Sequence, residues 1–132
     1  MKIFVDTSAF YALLDRDDAN HGKAKSAWST ALDPENHLVT SNYILVECFA
    51  LIQNRLGMEA VIGFQKGILP VITMEWIDSV VHQAGISALL AASRRKLSLV
   101  DCTSFEMMRK LGITTVFSFD AHFSEQGFLC LT

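Results

Sequence analysis

Lys2-Ile3-Phe4-Val5-Asp6-Thr7-Ser8 is the stretch on which the reading of this chain turns. Three consecutive apolar residues form a short core strand, and a carboxylate follows them at once. An unpaired polar group taken out of water costs roughly 2–7 kcal/mol, and a charge costs more, so Asp6 at the mouth of such a strand needs a partner. The residues after it place Phe10, Leu13 and Leu14 at helical spacing until Asp15–Asp18 end the run. The chain opens as strand, acid, helix.

Working outward, the same alternation recurs. Ala19–Leu32 carries Ala24, Ala27, Trp28 and Ala31 on one helical face, and Asp33-Pro34-Glu35-Asn36 turns into a strand at His37–Thr40. Ser41–Leu56 is predicted as an apolar helix stopped by Gly57, and Met58–Lys66 as another that leads through Gly67 into a third strand at Leu69-Pro70-Val71-Ile72. A long helix is expected over Glu75–Ser93 with Trp76, Val80, Ala84 and Ala88 on one face, and a further one over Asp101–Leu111 closed by Gly112. Thr115–Phe119 and Phe128–Leu131 complete the strands. Strands that read as apolar runs and alternate with helices mean a parallel sheet covered on both faces, a three-layer α/β/α fold.

The bulk numbers restrict the function. With 132 residues, 51% of them hydrophobic, and no repeat or linker, one domain over residues 1–132 is expected. The longest stretch without a formal charge, Ser79–Ser93, is broken by His82, Gln83, Gly85 and Ser87 and falls short of the ~20 apolar residues a bilayer demands. Lys2 and three apolar residues do not make the h-region of about 7–15 residues of a signal peptide, so a cytoplasmic location is expected. Cys48, Cys102 and Cys130 form no Cys-x-x-Cys pair and read as reduced, buried thiols. His21, His37, His82 and His122 have no zinc-binding spacing, and His122 reads as a loop or partly buried histidine, with a helping role near the site as the alternative.

Acids that follow strands are the first candidates for a site, because ligands of open parallel sheets bind beyond the carboxyl ends of the strands. Asp6 and Asp120 stand there. Glu47 has Tyr43, Ile44, Ala50 and Leu51 as its helical neighbours, which predicts a carboxylate on the apolar face of a helix. Asp101 opens a helix beside Ser104, Phe105 and Met108. Taken singly, Asp6 and Asp101 also suit helix capping, Asp120 an ordinary loop and Glu47 a buried ion pair. Four carboxylates converging on one edge suit Mg²⁺ or Mn²⁺, hard cations that accept oxygen ligands, keep waters and bind phosphate oxygens. Phosphodiester hydrolysis is the chemistry such ions favour, since they activate water and neutralise a leaving oxygen. The net charge of −3 and pI near 5.7 argue against a polyanion partner until those four acids are assigned to cations; the remaining ten then face eleven Lys and Arg.

Val5-Asp6-Thr7-Ser8, Glu47 in a helix after the second strand, Leu99-Val100-Asp101-Cys102-Thr103-Ser104-Phe105 and Phe117-Ser118-Phe119-Asp120-Ala121-His122-Phe123 with Gly127 beyond resemble, in order and separation, the four blocks of the PIN-domain nucleases. In length and wording the chain is most similar to their VapC-type toxins, the ribonuclease halves of type II toxin–antitoxin pairs. The resemblance implies strand order 3-2-1-4-5, metal-dependent endoribonuclease activity with Mg²⁺ or Mn²⁺, RNA as substrate, a homodimer and a small antitoxin protein. It puts the family's acids on Asp6, Glu47, Asp101 and Asp120, and its hydroxyl positions on Ser8, with Thr7 alongside, and Ser104, to orient waters or a substrate phosphate. Arg94-Arg95-Lys96, the one basic cluster, offers phosphate contacts or is a solvated helix end. Two readings stay beside the toxin: a PIN-fold RNA-processing nuclease without antitoxin, and a module that grips RNA or a partner without cutting. An aspartate-nucleophile phosphatase fits poorly, because its second acid would fall on Ser8.

Overall fold

A computed structural model describes Met1–Thr132, with β1 at Lys2–Val5, α1 at Thr7–Leu14, α2 at His21–Ala31, β2 at His37–Ser41 and α3 at Asn42–Leu56. Then come α4 at Met58–Gly63, β3 at Ile72–Glu75, α5 at Ser79–Ala92, α6 at Leu99–Leu111, β4 at Thr115–Phe117, α7 at Ala121–Glu125 and β5 at Leu129–Cys130. The five strands are parallel and ordered β3-β2-β1-β4-β5. Phe4 lies opposite Val39 on one side and Val116 on the other, so β1 is central, and Ile3, Phe4 and Val5 are wholly buried. The chain builds β2 and β3 to one side of β1, then crosses to lay β4 and β5 on the other. The order therefore reverses between β1 and β4, and open α/β sheets place ligands at that reversal.

Several boundaries differ from the sequence reading. The third strand begins at Ile72, not Leu69, because Pro70 has no N–H to give a ladder and instead starts a 3-10 turn at Leu69–Val71. The helix predicted over Met58–Lys66 ends at Gly63 and passes into a π-helical turn at Phe64–Ile68. Glu75 belongs to β3, and α5 starts four residues later, where the Asp78 carboxylate accepts a hydrogen bond from the Val81 N–H. Trp76 and Val80 consequently do not face the core, each being 72% exposed; Val81 and Gly85 form the buried face of α5. In α6 the cap is Ser98, not Asp101, and β4 stops at Phe117, leaving Ser118 and Phe119 as a link to Asp120.

The core is one cluster of 27 buried residues on both faces of the sheet. Phe10, Phe49 and Phe64 pack edge to face on one side, and Phe105, Phe123 and Phe128 cluster on the other. Cys48, Cys102 and Cys130 are unpaired thiols, and burial raises the pKa of each. No helix is long and apolar enough to cross a membrane.

Candidate active site

The end of β1 is tied down on both sides. The Asp6 N–H donates to the Phe117 carbonyl at 3.0 Å, and the Thr40 hydroxyl donates to the Val5 carbonyl at 2.8 Å. Asp6 is the residue before α1, yet its carboxylate does not cap that helix. The hydroxyls of Ser8 and Ser118 both donate to Asp6 Oδ2, each at 2.9 Å. Those hydroxyls in turn accept from the backbone N–H groups of Phe119 and Asp120, each at 3.0 Å. The partner that a carboxylate at this strand end demands is thus a pair of serines, one from each side of the β1–β4 reversal.

Asp101 is set by a capping box. The Asp101 N–H donates to Ser98 Oγ and the Ser98 N–H donates to Asp101 Oδ2, both at 3.0 Å, which fixes the carboxylate at the first turn of α6. Asp120 precedes α7 and accepts the His122 N–H at 2.9 Å. Glu47 departs from expectation: it is exposed, because α3 turns Ile44, Cys48 and Ile52 inward and presents Glu47 to the open side. There its Oε1 accepts the Thr7 hydroxyl at 2.5 Å.

One cleft of about 300 Å³ is lined by Asp6, Thr7, Ser8, Glu47, Leu51, Ser98, Asp101 and Asp120. The four sequence-predicted acids therefore share it, with Thr7 and Ser8. Ser104 does not line it: it is fully buried in α6, its hydroxyl donating to the Val100 carbonyl at 2.8 Å. Arg94, Arg95 and Lys96 lie exposed on the loop between α5 and α6, and Arg94 pairs with Glu125 at 3.0 Å. Three contributors stand outside the predicted site residues, a site role for His122 being only the lesser alternative. Ser118 sits in a run of aromatics that reads as strand, although its place two residues before Asp120 hinted at the site. Ser98 was legible from the Ser-x-x-Asp pattern of a capping box. His122 packs against the acids, its Nδ1 3.1 Å from Asp120 Oδ1 and 3.6 Å from Asp101 Oδ2.

The electrostatics are those of anions crowded together. Burial pushes the Asp6 carboxyl up to about 6; the hydroxyls of Ser118 and Ser8 oppose the rise and the negative charge of Asp101 adds to it. Burial likewise raises Asp101, with hydrogen bonds from Ser98 opposing and the charge of Asp120 adding. No lysine or arginine lines the cleft. Carboxylate oxygens and hydroxyls with no protein cation among them are a donor set for a hard divalent ion. His122 Nδ1, shielded from solvent and without a hydrogen-bond partner, is a lone donor atom beside the same acids. The residues present fit a bound divalent cation.

A match to the family described as PIN domain spans residues 3–129. The chain is 35% identical over 128 residues to the 23S rRNA-specific endonuclease VapC20 from two strains of Mycobacterium tuberculosis, covering 96% of this chain and 95% of the relative. It superposes on the crystal structure of VapC20, a sarcin–ricin loop cleaving toxin, with a TM-score of 0.86 at 36% identity over 96% of each chain. FitAcB from Neisseria gonorrhoeae shares the fold, with a TM-score of 0.71 at 15% identity over 100% of this chain and 97% of that one. Family match, sequence identity and superposition agree over almost the whole length, and the chain belongs to the PIN-domain family.

Proposed function

We propose that residues 1–132 act as one PIN domain, a metal-dependent endoribonuclease that hydrolyses RNA phosphodiester bonds and serves as the toxin of a type II toxin–antitoxin pair. The observation that carries this reading is the cleft at the β1–β4 reversal, which Asp6, Glu47, Asp101 and Asp120 line together with no lysine or arginine among its residues. These four acids hold Mg²⁺ or Mn²⁺ in it. Bound there, such ions supply Lewis acidity toward phosphate oxygens and lower the pKa of water.

The chain's own residues do the rest. Ser8 and Ser118 fix the Asp6 carboxylate through one oxygen, so its orientation is set before any ligand arrives. Thr7 steadies Glu47, which as an exposed side chain would otherwise sample many rotamers. Ser98 holds Asp101 at the head of α6, and the N–H of His122 holds Asp120. Ser8 and Thr7 also stand where a substrate phosphate would enter, and the exposed Arg94-Arg95-Lys96 loop, which leads directly to Ser98, supplies contacts to flanking phosphates. In the cytoplasm a homodimer capped by a small antitoxin completes the proposal.

The substrate named for the VapC20 relatives, 23S rRNA, is the first to test here. Purified protein is incubated with ribosomes and with deproteinised rRNA in Mg²⁺ or Mn²⁺, beside Asp6→Asn and Asp101→Asn, and cleavage is mapped by primer extension. Cuts that require metal and vanish in both variants are expected. Folded wild type that cuts no RNA in either metal would leave a binding module as the better reading.

A further inference from the structure

Building on the metal-dependent reading above, we propose that His122 is a direct metal ligand through Nδ1, together with Asp101 and Asp120, and that this nitrogen makes the position favour first-row transition cations over Mg²⁺. The three donor atoms lie within 4.8 Å of one another, on the first turn of α6 and the start of α7. Nδ1 stands 3.1 Å from Asp120 Oδ1 and 3.6 Å from Asp101 Oδ2 but makes no hydrogen bond to either, and it is closed off from solvent. Buried polar atoms are ordinarily hydrogen-bonded, so a ring nitrogen held in this pose calls for a ligand. The backbone N–H of His122 already holds Asp120 Oδ1 at 2.9 Å without help from the ring.

The separation of Nδ1 from Asp120 Oδ1 is that of neighbouring ligands on one ion. Adjacent ligands of an octahedral ion with bonds of ~2.1 Å stand about 3.0 Å apart, close to the separation of Nδ1 and Asp120 Oδ1. The other two acids are engaged separately, Asp6 with Ser8 and Ser118, and Glu47 with Thr7. Asp101 and Asp120 line the cleft and His122 packs against both, which makes a mixed oxygen and nitrogen donor set. Mg²⁺ seeks oxygen and gains little from imidazole, whereas transition cations accept it readily.

The test loads the protein with Mn²⁺ alone, without RNA. Electron spin echo modulation on Mn²⁺-loaded protein carrying ¹⁵N-histidine is expected to show nitrogen coupling that disappears in His122→Gln. Competition binding of Mn²⁺ against Mg²⁺ is expected to lose about tenfold of its Mn²⁺ preference in both His122→Ala and His122→Gln. If His122→Ala fails to fold, the wild-type coupling and the His122→Gln ratio decide. Mn²⁺ bound in an Asp101-dependent way but without histidine coupling, or an unchanged preference in the variants, overturns the role of His122 and leaves the carboxylate reading standing. A folded protein that binds no Mn²⁺ at all overturns both.

Discussion

Asp6 is held at a cost that its surroundings repay only in part. Its carboxyl is buried and titrates near 6, above the 3.8 of an unhindered aspartate. Below about pH 4 the proton is present in folded and unfolded chains alike, so the group is neutral to stability. Between pH 4 and 6 the unfolded chain ionises while the folded one keeps its proton, and above pH 6 the full penalty of about 3 kcal/mol is reached. In chelator, metal-free protein should therefore lose stability across pH 4–6, and Asp6→Asn should flatten that slope while keeping an acceptor for Ser8 and Ser118. Urea unfolding at pH 4, 5, 6 and 7 measures it; parallel curves for the two proteins would sink the prediction. The same residue was the most legible in the sequence, because a charge after Ile3-Phe4-Val5 has no local remedy. Glu47 was legible by identity but not by environment: its neighbours at i−3 and i+4 are apolar, yet a single helix flank separates Ile44 and Cys48 from the open cleft. Its amide variant tests a purely chemical role. Glu47→Gln should leave thermal stability within about 0.5 kcal/mol, as for a typical surface change, while abolishing metal-dependent cleavage.

At the level of elements, the site depends on α6 lying where it does, and α5 sets that position. A Cβ added to Gly85 would fall 2.5 Å from the Thr103 Cγ2, so the two helices approach through the missing side chain. Thr103 cannot swing away freely, since its hydroxyl donates to the carbonyls of Leu99 and Val100. Gly85→Ala should cost about 1–3 kcal/mol by overpacking. Adding Thr103→Ser, which removes the clashing methyl and keeps the hydroxyl, should recover most of it; a double-mutant cycle in denaturant shows whether the two effects couple. If the costs simply add, the close approach is not what positions α6. This contact also explains where the reading of α5 went astray. Helical periodicity accommodates Trp76, Val80, Ala84 and Ala88 as well as it does Val81 and Gly85, and only the partner helix decides that a glycine, the least hydrophobic choice, faces inward. Pro70 carried its own message, a missing N–H, that outweighed the apolar run around it.

Across the whole molecule, the acids of one cleft come from four separate regions: the end of β1, the middle of α3, the head of α6 and the loop after β4. Their order along the chain was readable, and so was the sheet that gathers them, because each acid follows or faces an apolar element of fixed type. His122 and Ser118 were not, since their significance lies in what they touch across the β1–β4 reversal and not in the residues beside them. Bringing these carboxylates together places the gain from a cation in the folded state alone, for the unfolded chain scatters them. Ligand binding to the folded state stabilises by RT ln(1 + [L]/Kd), about 1.4 kcal/mol at ten times Kd. Adding Mn²⁺ at that level at pH 7.5 should therefore raise Tm by several degrees, and EDTA should reverse the shift. The increment should shrink in Asp101→Asn and persist in Glu59→Gln, a change of equal sign in net charge but at an exposed position outside the cleft. Calorimetry across a Mn²⁺ series distinguishes these, and an equal rise in all three proteins would mean that the ion binds the surface and not the four acids.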